Sequence, residues 1–336
     1  MGQIDQDISA QFARKSQSVS DGEEALSIAQ VGRVIEALRF LGQSPPDIDI
    51  ARIRELSANA VSGDTSELEK LLDKYTLFSV TLDGRGFGKS RPGGASRHLV
   101  QQGWRSFLVK VENTGKLRVP LLMLSRIDMP ETLEGVLVSG FHDGRVFGND
   151  HPEVPEGVPG SVCLPEFDRP IEEQWMGYCF GVDDILPNCL EGNTLEYQVI
   201  QIYSQAVGHQ TKLLSACSST IPRLQAFRCN GFVADFDSAE AIPVSISIRD
   251  SDGKGATASL VIRDHAGRIY PAPGHRLEPD LSYQPQIYRA HGETIHLPRG
   301  KYQIAASRGP EYIRLEQELD ISSSVESGKR RPSAMD

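Results

Sequence analysis

Val244-Ser-Ile-Ser-Ile-Arg-Asp250-Ser-Asp-Gly-Lys-Gly255-Ala-Thr-Ala-Ser-Leu-Val-Ile-Arg-Asp264-His-Ala-Gly267 contains two runs of alternating apolar and polar residues, each followed by a glycine-bearing turn. Val244, Ile246 and Ile248 alternate with Ser245, Ser247 and Arg249, and Ala256, Ala258, Leu260 and Ile262 alternate with the residues between them. A period of two is that of a strand with one face buried. Ser251-Asp-Gly253 and Asp264-His-Ala-Gly267 supply the glycines that tight reversals favour, because glycine tolerates positive φ. Glu293 to Leu297, the turn Pro298-Arg-Gly300 and Lys301 to Ala305 repeat the scheme. Short, regularly spaced strands with turn signals predict a sandwich rather than a βαβ sheet. Its expected core holds Val244, Ile246, Ile248, Leu260, Ile262, Tyr302 and Ile304.

Upstream, the same period appears at Phe78, Val80 and Leu82, and at Phe107, Val109 and Val111 within Trp104–Val111. After the turn Asn113-Thr-Gly115, Leu117 to Leu124 is expected to pair back on that strand as a hairpin. Leu195–Tyr203 and Thr211–Cys217 read as further strands. Residues 125–190, rich in Pro, Gly and Asp, read as a long loop with one short strand near 135–141. Before Phe78 the period is three to four. Ser20-Asp-Gly-Glu23 fits a capping box, in which Ser and Glu satisfy free first-turn N–H groups. Ile28, Val31, Val34, Ile35, Leu38 and Leu41 then form a helical stripe that ends at Gly42 and Pro45-Pro46. Further helices are expected over 49–61 and from Asp64 or Thr65 to Tyr75.

The expected organisation is therefore mainly β behind a helical N-terminal segment, with two β-sandwich-like modules. Residues 1–19 and 322–336 read as disordered tails, 20–76 as helical, 77–226 as the first β module and 227–321 as the second.

The 336 residues carry 35 Lys and Arg against 45 Asp and Glu, a net charge of −10. That balance argues against nucleic-acid binding, which needs basic patches to displace phosphate counterions. No apolar run approaches the roughly 18 residues of a membrane span, and the polar start Met1–Ser16 lacks the apolar core of a signal peptide. No membrane partner and a cytoplasmic location are the expectations. Cys163, Cys179, Cys189, Cys217 and Cys229 are odd in number and widely spaced. They read as small hydrophobes rather than as a disulfide or zinc framework.

Few strings suggest chemistry. Gly84-Arg-Gly-Phe-Gly88-Lys-Ser90 falls one residue short of a phosphate-binding P-loop: position 83, where its first glycine belongs, is Asp83. Pro92-Gly-Gly94 also stands where the helix should begin, so the string reads as a loop between strands. His142, Asp143, Asp150 and His151 carry metal-ligating groups within ten residues. Their Gly/Pro-rich setting offers no rigid element to hold a coordination geometry. They are the metal candidates, and no catalytic residue or cofactor is expected. The loops 84–98 and 125–190 are the expected contact surfaces if the chain is a free-standing binding module.

Several blocks occur in an order that resembles a known family. They are Leu99 to Asn113, Leu195 to Ser204, Ile246 to Asp264 with Gly267-Arg-Ile-Tyr-Pro271, Gln284 to Ala290, Leu297 to Tyr302 and Arg308-Gly-Pro-Glu-Tyr312. Together they are similar to the region upstream of the catalytic domain in carbaryl-hydrolase-like (CehA/McbA) metallohydrolases. In that family a PHP-type domain with an Asp-His-His-x-His cluster follows the last block and one more strand, which Ile313 to Ile321 would supply here. No such cluster occurs in this sequence. The resemblance thus implies a non-catalytic accessory region, truncated or split from its hydrolase, whose partner is a PHP-type metallohydrolase domain or a second copy. Family members often carry an export signal. Within the resemblance the second module looks like a prealbumin- or carboxypeptidase-regulatory-type sandwich. A free-standing binding module and a hydrolase with an unrecognised site at 142–151 are the rival readings.

Overall fold

The structure, a computed structural model, describes residues 26–59, 65–126, 176–182, 185–221, 228–273, 276, 279–281, 284–309 and 311–321. The expected tails, the capping box at Ser20–Glu23, the strand near 135–141 and Cys163 lie outside the described residues. So do all four metal candidates.

Helices α1 (Ile28–Phe40), α2 (Asp47–Asn59) and α3 (Ser66–Asp73) precede the first strand. Val31, Val34, Ile35 and Leu38 of α1, Ile50 and Ile53 of α2, and Leu68, Leu71 and Leu72 of α3 face one core. Among the described residues the first helix begins at Ile28. Leu26, just ahead of its N-cap Ser27, bridges Leu195 of β7.

Sixteen strands follow among the described residues: β1 (Thr76–Leu82), β2 (Gly88–Pro92), β3 (His98–Val100), β4 (Gly103–Asn113), β5 (Leu121–Arg126), β6 (Met176–Phe180), β7 (Leu195–Ser204), β8 (Gly208–Ser218), β9 (Phe232–Ala239), β10 (Ala241–Ser245), β11 (Thr257–Asp264), β12 (Ile269–Tyr270), β13 (Ile287–Ala290), β14 (Thr294–Pro298), β15 (Lys301–Ser307) and β16 (Leu315–Asp320). The fold is mainly β with a small helical N-terminal part.

The first β module has two sheets, ordered β2-β1-β4-β7-β6 and β3-β9-β8-β5. Phe78, Val80, Phe107, Val109, Val111, Ile200 and Ile202 of the one meet Leu121, Met123, Leu214, Ala216, Ala234 and Phe236 of the other. The outer face of the first sheet packs under the helices through Leu108, Leu195, Tyr197 and Val199. This double coverage explains why nine of the ten residues of Leu195-Glu-Tyr-Gln-Val-Ile-Gln-Ile-Tyr-Ser204 are buried rather than every second one.

Glu196, a charged residue in that covered strand, is held by several donors. Glu196 accepts the backbone N–H groups of Glu191, Gly192 and Asn193 at 2.8–2.9 Å and the Gln30 side chain at 3.1 Å. Gln30 in turn accepts the Tyr197 N–H at 3.0 Å, which fixes α1 to β7.

The expected hairpin after Asn113 does not form. Both edges of β4 are taken, by β1 and β7, so β5 crosses to the opposite sheet and pairs with β8. Asn113 turns the chain by accepting the Leu117 N–H and donating to the Leu117 carbonyl, both at 2.9 Å. Strand β9 likewise pairs with β8 in the first module, so the expected second-module start at position 227 precedes a strand of the first. The passage between modules lies at Glu240, between β9 and β10.

The second module packs the ribbon β10-β14 on the sheet β12-β11-β15-β16, with β13 also paired to β11. The seven residues expected in its core all belong to it, Val244 and Ile246 at its partly buried margin. Val100 of β3 enters the same core. At the helical side the Ile269 N–H donates to the Gly42 carbonyl at 2.9 Å.

Candidate functional site

Where the modules meet, a cleft of about 270 Å³ opens between β3, the start of β4 and the end of β9 on one side and the turns of the second module on the other. Each wall follows from local sequence. Asp264 ends β11 with a side chain that folds back on its own turn, its Oδ1 accepting the Ala266 and Arg268 N–H groups at 2.9 Å each. Gly267 completes that turn at φ +80°. Tyr270, three residues later, and Tyr302, on β15, meet edge to face with ring centres 5.4 Å apart. The Tyr302 hydroxyl donates to the Pro298 carbonyl at 2.5 Å.

Arg105 lies at the base of the cleft. It shares the inward parity of Phe107, Val109 and Val111 on β4, but it sits past the end of the first core, where the second module closes over it. Only 7% of its surface is exposed. Its Nη2 donates to the Tyr270 hydroxyl at 2.8 Å, and its guanidinium carbon lies 5.5 Å from the centre of the same ring. Nε and Nη1 are buried without a hydrogen-bond partner. The Tyr270 hydroxyl donates to Asp264 Oδ2 at 3.2 Å, and Arg268 Nε donates to the same oxygen at 2.7 Å. One carboxylate thus serves two guanidiniums, directly at Arg268 and through a phenol at Arg105.

Electrostatics follow this arrangement. Burial lowers the Arg105 pKa, aided by repulsion from Arg268, while Tyr270 and Asp264 oppose the shift. Burial raises the pKa of Tyr270, with Arg105 and Arg268 pulling the other way. On the rim, Arg299 and Lys301 stand 3.8 Å from Glu240 and 3.6 Å from Asp320. Asp237 is engaged by His209 at 3.3 Å. A wider groove of about 1030 Å³ lies against the other side of the Asp264 turn, between it and the segment Arg39–Asp47.

The strings singled out in the sequence go elsewhere. Gly84–Phe87 forms the reversal of the β1–β2 hairpin, with Leu82 opposite Gly88, and Gly88-Lys-Ser90 opens β2. Asp83 accepts the Arg85 and Phe87 N–H groups at 2.9 and 3.0 Å. That carboxylate occupies the backbone donors a P-loop would offer to phosphate. Loop 84–98 therefore contains β2 and reaches the cleft only at His98. Among the described residues no cluster of three or more His, Cys, Asp and Glu side chains could hold a metal ion. None of the described helices is long and apolar enough to cross a membrane. Cys179, Cys217 and Cys229 are buried thiols outside any disulfide, as expected of small hydrophobes, whereas Cys189 is exposed.

The sequence reading missed Arg105. The signal was its parity, a charge on the apolar side of an alternating strand. No protein-family model matches the chain, and no curated protein matches it.

Proposed function

We propose that the chain is a non-catalytic docking module whose partner is a PHP-type metallohydrolase domain of the carbaryl-hydrolase-like kind. The observation that carries this reading is an exposed apolar run at what is a sheet edge among the described residues. Strand β16 pairs with β15 on one side and forms the sheet's outer edge. Tyr312, Ile313 and Leu315 at its start are exposed, Ile313 to 87%. Such a run at an edge strand suits burial by another polypeptide. The block Arg308 to Tyr312, whose resemblance to the hydrolase family names the partner, leads directly into this edge.

The test is co-purification of the tagged chain from its source cell, with Ile313→Asp as the variant. Capture of a protein bearing an Asp-His-His-x-His cluster, lost in the variant, is the expected result. A self-dimer that Ile313→Asp dissolves, or capture of other proteins alone, would overturn it. A free-standing binding module is the second reading, and the unpartnered donors of Arg105 favour it.

A further inference from the structure

We propose that the cleft between the two β modules is a binding site for a small oxyanion, of the phosphate, sulfate or carboxylate class, with Arg105 as its principal donor. The inference stands on the cleft alone and holds whether or not the chain docks on a hydrolase domain. A guanidinium is charged at any ordinary pH, and burying it without a counter-charge is strongly unfavourable unless something supplies one. Asp264, the carboxylate that acts on Arg105 electrostatically, has both oxygens committed: one to two backbone N–H groups, the other to Arg268 and Tyr270. Arg105 is left with a neutral phenol as its only hydrogen-bonded partner and with donors unused on Nε and Nη1.

The rest of the cleft fits the same ligand. Arg268 adds a second guanidinium, and His98 and His265 on the walls each carry at least one ring N–H whatever their protonation. A volume of about 270 Å³ suits an oxyanion or a short carboxylic acid and is small for a nucleotide. Asp237 also borders the cleft. Because its carboxylate is engaged by His209, it opposes the anion less than a bare charge would. Charge-assisted bonds from arginine to such oxygens are short and strong, so ligand binding would give Arg105 a directly bonded counter-charge, where the fold supplies one only through the Tyr270 hydroxyl.

The experiment is calorimetric titration of the full chain with inorganic phosphate, sulfate and succinate, at an ionic strength held constant with sodium chloride. Saturable binding of at least one is expected. Arg105→Met should weaken it roughly 10- to 100-fold, the loss of one or two charge-assisted bonds. If Arg105→Met does not fold, Arg268→Gln provides the second variant and should weaken binding in the same direction. Response to phosphate and sulfate alone assigns the phosphoryl or sulfuryl class. Response to succinate alone assigns an organic acid, and either supports the site. No saturable heat beyond chloride from any of the three, or equal affinity in the folded variants, would overturn it.

Discussion

Tyr302 and His265 both border the cleft, yet the structure gives them opposite weights. Tyr302 is buried, packs edge-on against Tyr270 and spends its hydroxyl on the Pro298 carbonyl. His265 stands exposed at the tip of the β11–β12 turn. Tyr302→Ala is therefore expected to destabilise the fold by about 3 kcal/mol, as large-to-small aromatic changes in cores do. His265→Ala should stay within about 0.5 kcal/mol. Denaturant melts of the two variants check both values, and a neutral Tyr302→Ala would remove the case for a packed second core. At this scale the sequence was legible wherever burial follows alternation, as at Leu260 and Ile262. It was not legible where a residue answers to a distant neighbour. Arg105 has inward parity, but only the folded chain reveals that Tyr270, 165 residues away, closes over it.

Elements formed where local periodicity was strong and went astray where pairing had to be chosen. Strands β1, β4, β11 and β15 sit where alternation places them, because alternation records a buried face. It does not record which strand lies alongside, so β5 looked like the partner of β4 although β8 claims it. Alternation is also blind to an inserted residue. Leu77 falls between the pairs Thr76–Leu108 and Phe78–Val109, and it remains buried beside Phe78. Such bulges bend a strand without disturbing its composition. The β1–β2 hairpin makes a testable contrast. A Cβ at Gly88 would lie 1.7 Å from the Ala216 carbonyl oxygen, whereas one at Gly84 would meet nothing within 4 Å. Gly88→Ala should cost about 3 kcal/mol or more, because backbone of β8 must move. Gly84→Ala should be neutral within about 0.5 kcal/mol. Melting temperatures of the pair decide it, and a tolerated Gly88→Ala would mean that the hairpin does not lie against β8.

Among the described residues three large cores and one small cluster are joined by contacts that sequence does not record. The helical core shares the sheet of β4 and β7 with the first sandwich. The second module is tied in by Val100, by Arg105 with Tyr270, and by the Ile269 N–H on the Gly42 carbonyl. Gly42 holds φ +64°, and a Cβ there would stand 2.8 Å from that of Ile269. Alanine at this position would meet left-handed strain of roughly 1–2 kcal/mol together with that clash. The strain falls on the joint between modules and leaves each core intact. Trp104 stands on β4 of the first module, so in a Trp175→Phe background its fluorescence follows that module. Far-ultraviolet circular dichroism follows all of the strands. With the joint intact the two signals should melt together, as coupled cores do. In Gly42→Ala combined with Val100→Ala the circular dichroism should show an earlier phase that fluorescence lacks, because the second module now opens first. Coincident melts in the double variant would mean that the joint is carried elsewhere, and non-coincident melts with the joint intact would mean that the modules were never coupled.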